Sequence, residues 1–228
     1  MTLQLATLER ARAYLNTDAP LLGIVSLDQE LTGESVRLIS TAYFVRRNLG
    51  SRLEVVARHI NTSITSWPDD LTGRAAWCRD QAEALRTSLS LPHVAHSAVS
   101  KLAWFLRPAG CTLYDSYARK ALHVRGVHGA GPFTSFYDTL SINGFAEAAG
   151  KIDAILAGTV WSDLRGARVL DAYLMDKGGF PFLLGSSAAQ DGFLAALPSP
   201  AGQTLSALAN RIASELATDP FITFVESL

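Results

Sequence analysis

The chain is poor in cysteine, with only Cys78 and Cys111 among its 228 residues. A disulfide framework needs several cysteine pairs, and a four-cysteine iron–sulfur cluster needs four thiolate ligands. Two residues provide neither. The two cysteines are also far apart in the sequence, and neither belongs to a CxxC pair of the kind used in thiol redox chemistry.

Long apolar runs and a surplus of basic residues are also missing. No stretch is apolar over the roughly 20 residues that a membrane-spanning helix needs, and the start of the chain does not resemble a signal peptide. We therefore expect a cytoplasmic protein without a membrane partner. Its 20 basic and 21 acidic residues give a net charge of -1. The basic footprint common among nucleic-acid-binding proteins is thus absent overall, although a local basic patch is compatible with a neutral total.

Motifs of several enzyme classes do not occur in the sequence. There is no GxSxG nucleophile elbow and no HExxH zinc-binding pair. The five histidines show no metal-ligand spacing, and the glycines at 129 and 131 lack the Lys-Ser/Thr pair that a phosphate-binding loop requires. We therefore expect no metal and no other cofactor.

Apolar residues recur at helical spacing along most of the chain, and no segment alternates between apolar and polar residues as a half-buried strand does. The composition, 48% hydrophobic and 18% charged, is that of a globular protein. The pattern predicts helices over 3–15, 35–49, 53–64, 73–89, 97–106, 134–142, 145–156, 161–175 and 202–216, with a break at 17–20 and a glycine-rich loop over 126–132. We predict an all-α fold over residues 1–228, built as a single domain or as two helical lobes with the central segment at about 73–125.

The central segment, residues 91–122, has the clearest local signals. Leu91-Pro92 ends the preceding helix, because proline disfavours helical geometry in the residue before it. Val99, Leu102 and either Phe105 or Leu106 then mark the buried face of a helix that ends at Arg107-Pro108. Asp115 follows at the expected start of the next helix, where a carboxylate can accept hydrogen bonds from free backbone amides.

This arrangement resembles the core of the helix-hairpin-helix DNA glycosylases, the superfamily of endonuclease III and 8-oxoguanine DNA glycosylase. In that family a turn of the type LPGVG joins two helices, and a loop of the type PVDTH ends in a catalytic aspartate. Leu91-Pro92-His93-Val94-Ala95 stands in place of the first motif, and Thr112-Leu113-Tyr114-Asp115-Ser116 in place of the second. The resemblance implies an all-α, helix-hairpin-helix glycosylase-like fold. It also implies excision of a damaged or modified base from DNA, with Asp115 as the catalytic aspartate.

The sequence departs from the family pattern at the hairpin. His93 and Ala95 replace both glycines, whose small size lets the backbone approach a DNA phosphate. Ser97 stands where bifunctional members carry the lysine that forms a Schiff base. Lys101 lies one helical turn later on the same face. Three interpretations follow: a monofunctional enzyme, a bifunctional enzyme in which Lys101 replaces the family lysine, or a site that is not a glycosylase site.

The remaining candidate residues each have a second, purely structural interpretation. His93, His96, Ser97 and Tyr114 are candidate contacts to DNA or to the extruded base. The two histidines can equally be exposed turn residues, and Tyr114 a packing residue. Lys101, the second candidate catalytic residue, can be a surface lysine whose stem lies along its helix.

Arg119 and Lys120 are candidate phosphate ligands one turn after Asp115, and otherwise complement acidic neighbours. Asp115 itself can be a helix cap and nothing more. In the alternative to a glycosylase, the same helical scaffold is a non-catalytic module that associates with nucleic acid or protein, and the resemblance is architectural.

Overall fold

The computed structural model describes residues 2–110, 112–124 and 130–228, the side chain of Ala130 excepted. Within these ranges the protein is all-helical and no residue is in a strand, which confirms the all-α prediction. The α-helices are α1 Leu3–Ala13, α2 Ala19–Asp28, α3 Gly33–Ala42, α4 Leu53–Ser63, α5 Leu71–Leu89, α6 His96–Leu106, α7 Ser116–Ala121, α8 Ala130–Ile142, α9 Phe145–Leu156, α10 Gly166–Lys177, α11 Ser187–Ala196, α12 Ser199–Glu215 and α13 Pro220–Glu226.

The chain divides into two compact units. The first, called the α6 unit, contains the described residues of 16–114 and 126–138. In it α6 packs against α2, α3, α4 and α5. Helix α6 is therefore enclosed on most sides, and Val99, Leu102 and Phe105 are buried as their spacing predicted.

The second, called the α10 unit, contains the described residues of 1–15, 115–125 and 139–228. Helix α10 packs against α1, α7 and α9, and α12 packs against α1 and α9. Gly178 directly follows α10, and a Cβ at this position would lie 2.0 Å from the carbonyl oxygen of Tyr117 in α7. Only a glycine allows this close approach, which sets the position of the short helix that follows Asp115.

Three predicted boundaries were wrong. The break expected at 17–20 is helical, because a π-helical turn over Tyr14–Asp18 leads into α2, and proline is tolerated in the first turn of a helix. The helix expected over 35–49 ends at Ala42, and a 3₁₀ turn over Arg46–Asn48 follows. The helix predicted from 161 starts as a 3₁₀ turn, Ser162–Leu164, and α10 begins only after Arg165, whose φ is 59°.

The glycine-rich loop predicted at 126–132 is only partly within the described residues. Residues 125–129 lie outside them, as does Cys111. Gly131 and Pro132, expected in that loop, lie in the first turn of α8, where a proline needs no hydrogen-bond partner.

Besides α2, two further helices were not predicted from the sequence. Helix α11 begins after Ser186, whose hydroxyl accepts a hydrogen bond from the Ala189 amide. Helix α13 begins after Asp219, whose Oδ1 accepts one from the Phe221 amide. Each of these helices begins at a capping side chain and has ten residues or fewer. Helices this short do not show the long apolar periodicity on which the prediction relied. No helix among the described residues combines the length and apolar character needed to cross a membrane.

Candidate functional site

The turn between α5 and α6 occupies the place of the family hairpin. Ser90, with φ of 53°, takes the left-handed conformation that ends α5, and α6 begins at His96. Neither His93 nor Ala95 has a positive φ, so this turn does not need glycine at those positions. The His93 side chain is exposed, whereas Ala95 is buried. The two replacements are therefore compatible with the local backbone.

Lys101 is buried in α6, with 3% of its surface exposed. Its Nζ donates hydrogen bonds to Ser97 Oγ at 2.8 Å and to the Tyr114 carbonyl oxygen at 3.0 Å. Ser97 Oγ also donates to that carbonyl, at 3.0 Å. The interpretation of Lys101 as a surface lysine was wrong, because its position at i+4 from Ser97 points both side chains at the same backbone carbonyl.

One residue that the sequence did not point to, Tyr43, lies beside this lysine, and Asp18 is its hydrogen-bond partner. The ring centroid of Tyr43 is 6.0 Å from Lys101 Nζ, a distance at which an ammonium group is attracted by an aromatic face. The Tyr43 hydroxyl donates a hydrogen bond to Asp18, which is buried. Tyr43 was predicted only as part of the helix over 35–49, and Asp18 only as part of the break at 17–20. Neither carries a local signal that points to Lys101.

His96 and Tyr114 belong to an aromatic cluster with α8. The His96 ring stacks on Phe133 at 4.7 Å and 20°, and Tyr114 meets Phe133 and Phe136 edge-on at 4.9 Å and 5.4 Å. His96 is 5% exposed, so its interpretation as an exposed turn residue was wrong. Stacking on Phe133 of α8 accounts for the burial of this imidazole.

The imidazole of His96 is buried without full hydrogen bonding. Its Nε2 has no hydrogen-bond partner among the described residues. Burial lowers the pKa of His96 below its ordinary value, the charge of Glu83 opposes this effect and that of Arg79 adds to it. A neutral imidazole offers one donor and one acceptor nitrogen.

Asp115 is the N-cap of α7, as predicted. Its backbone is extended, and its Oδ1 accepts a hydrogen bond from the Tyr117 amide at 2.8 Å. The side chain is half-buried. Asp115 belongs to the α10 unit, whereas Lys101 and Ser97 belong to the α6 unit.

The two candidate phosphate ligands on α7 differ in their surroundings. Lys120 is exposed, and its Nζ lies 3.7 Å from the position of a Cβ on Gly179. Arg119 is half-buried and its Nη1 donates to the Val124 carbonyl at 2.8 Å, which orders the guanidinium group. Lys120 is therefore the more accessible cation of the pair.

The structure brings part of the predicted site together. Ser97, Lys101 and Tyr114 are in direct contact in the α6 unit, and His96 joins them through Phe133. His93 is exposed in the turn before α6. No group of three or more His, Cys, Asp or Glu residues in the described part of the chain could hold a metal ion. Compared with known proteins, the chain matches no family model, no curated protein and no solved structure.

Proposed function

We propose that the protein is a DNA glycosylase with lyase activity that acts on a damaged or modified base, with Lys101 and Asp115 as its catalytic residues. The observation that carries this proposal is the Lys101 amine, which is buried and oriented by Ser97 Oγ and by the Tyr114 carbonyl. An amine held in one position by neighbouring hydrogen bonds has little freedom to lose when it reacts.

In the proposed reaction Lys101 is the nucleophile. Its neutral amine attacks the sugar C1′, and the C1′–N bond to the base breaks with its electron pair moving to the base. The base takes up the proton that the attached amine releases. The C1′–O4′ bond then breaks with its electron pair moving to O4′, which takes a proton from water, and a protonated Schiff base forms between Lys101 and C1′. Attack requires the amine to release one of its hydrogen bonds, and Ser97 Oγ still supplies a donor to the Tyr114 carbonyl.

Asp115 has an electrostatic role in this mechanism. Positive charge develops on the sugar as the glycosidic bond weakens, and a fixed carboxylate stabilises that charge in the transition state. The cap hydrogen bond from the Tyr117 amide uses Oδ1 and fixes the orientation of the group. We assign His96 and Tyr114 to recognition of the extruded base, and His93, Arg119 and Lys120 to contacts with the DNA backbone.

Borohydride trapping on a panel of duplex oligonucleotides, each with one lesion, tests the proposal. Wild-type protein should excise one class of base and form a covalent adduct with its DNA. Lys101→Ala should lose the adduct. Lys120→Ala removes an exposed lysine of α7 and should weaken binding while the adduct still forms. Excision without an adduct in the wild type would contradict the lyase step and leave a monofunctional glycosylase.

The alternative is a non-catalytic helical module that associates with nucleic acid or protein. One observation favours it: the cap hydrogen bond at Asp115 already accounts for an aspartate at this position. A protein that binds DNA with strong salt dependence but cuts no lesion in the panel would support this alternative.

A further inference from the structure

The turn between α3 and α4 exposes an aromatic side chain on a strained backbone. Phe44 has a φ of 57° and is 88% exposed. The left-handed region is unfavourable for a bulky residue. A large apolar side chain that stays in water also contributes no hydrophobic stabilisation to the fold. Strain of this kind persists where the surrounding structure enforces it, and it is concentrated at binding sites.

The rest of the turn is firmly held. The Phe44 amide donates to the Thr41 carbonyl at 3.1 Å and the Val45 amide to the Ser40 carbonyl at 2.8 Å. Val45 and Leu49 are buried, and Arg46 Nη1 donates to the Gly50 carbonyl. The backbone of the turn is therefore held in place by these hydrogen bonds and buried side chains, while the phenyl ring of Phe44 remains in solvent.

The same turn is locally basic in a chain that is neutral overall. Residues 43–52 contain three arginines and no acidic residue, and Arg47 and Arg52 are exposed. The nearest carboxylates in the sequence have other partners. Glu54 accepts a hydrogen bond from the Gly33 amide at 2.7 Å, and Glu34 pairs with Arg37 at 2.5 Å.

We propose that this turn is a DNA-binding surface, on which Phe44 stacks against a base while Arg47 and Arg52 contact backbone phosphates. An aromatic face flanked by cations is complementary to a nucleic-acid strand, which combines flat bases with regularly spaced negative charges. Phe44 directly follows Tyr43, whose ring lies beside Lys101 Nζ. Both residues belong to the α6 unit, which also contains the proposed nucleophile. The inference rests on DNA being the partner in the proposed function.

Fluorescence anisotropy with labelled DNA tests the stacking role. Phe44→Ala should weaken binding by about tenfold, because stacking of a base on an aromatic side chain is lost. Phe44→Trp should restore the affinity. Leu27 in α2 is 86% exposed in the same unit, so Leu27→Ala is the matched control and should bind as the wild type does.

The salt dependence of binding tests the phosphate contacts. Arg47→Ala and Arg52→Ala should each lower the slope of log affinity against log salt by about one, whereas Arg211→Ala in α12 removes the same charge and should leave the slope unchanged. The inference is overturned if wild-type protein does not bind DNA, or if Phe44→Ala behaves like Leu27→Ala. Phe44-dependent binding without excision of any base would support the inference and refute only the proposed catalysis.

Discussion

Replacement of Asp115 separates a helix cap from a catalytic carboxylate. Asp115 Oδ1 accepts the Tyr117 amide hydrogen at 2.8 Å, and an asparagine at this position retains an oxygen that can accept the same bond. Asp115→Asn should therefore lower the free energy of unfolding by less than about 0.5 kcal/mol, since asparagine and aspartate are similar N-caps. Asp115→Ala removes the acceptor and should cost about 1 kcal/mol, a fall of about 2–4 °C in Tm for a chain of this size.

The two variants should behave alike in excision, although they differ in stability. If the negative charge acts in the transition state, both should lose at least about 100-fold in single-turnover excision rate while DNA binding persists. The assay is excision of the preferred base from a duplex oligonucleotide with enzyme in excess, together with thermal unfolding of the same preparations. Rate and Tm would then vary independently across the series.

Asp70 provides a matched control for this series. It is the N-cap of α5, and its Oδ1 accepts the Gly73 amide hydrogen at 2.7 Å. Asp70→Ala should lower Tm as Asp115→Ala does, and excision should remain at the wild-type rate. Full excision by Asp115→Asn would refute the catalytic role, and equal loss of excision in Asp70→Ala would show that both effects come from stability alone.

Three further predictions test the packing, the buried histidine and the strained turn. Gly178→Ala should destabilise the protein by about 2–3 kcal/mol in denaturant unfolding, because its Cβ would overlap the Tyr117 carbonyl, whereas Gly192→Ala has open space and should be neutral or stabilising. Burial lowers the pKa of His96, so as pH falls below 6.5 the imidazole is protonated in the unfolded state before it is protonated in the folded state. The stability that neutral His96 provides is therefore present above pH 6.5 and is lost on acidification. His96→Phe should flatten the dependence of Tm on pH in this window. Phe44→Asn should raise the free energy of unfolding by about 0.5–1 kcal/mol in the same denaturant assay, because asparagine tolerates a positive φ; a decrease would contradict the assignment of strain.

The parts of the central segment that could be predicted depend on neighbours in the sequence. The helix of Lys101 was placed to within one residue, because Val99, Leu102 and Phe105 repeat at 3.6-residue spacing. Asp115 was identified as a cap because the acceptor and the amide that it binds are two residues apart. Signals of this kind are local, and they are readable without knowledge of the tertiary structure.

The environment of Lys101 could not be predicted in the same way. One of its acceptors is a backbone carbonyl thirteen residues later, and the Tyr43 ring, whose hydroxyl is bonded to Asp18, comes from a segment far earlier in the chain. A carbonyl carries no sequence signal, since every residue has one. The π-helical turn before α2 also shifts the helical register, so a fixed 3.6-residue period could not place Asp18 on the buried side.

The burial of Lys101 bears on the choice between a catalytic and a structural role for this residue. Removing a charged amine from water costs several kcal/mol, and the hydrogen bonds to Ser97 Oγ and the Tyr114 carbonyl offset part of that cost. An apolar side chain of similar volume would fill the same space in α6 without the desolvation penalty, as Leu102 and Val99 do on either side. A buried amine therefore stabilises the core less than an apolar side chain of similar volume would. It is a good choice for a nucleophile, because the same surroundings that make it expensive also orient it and limit competing reactions with water.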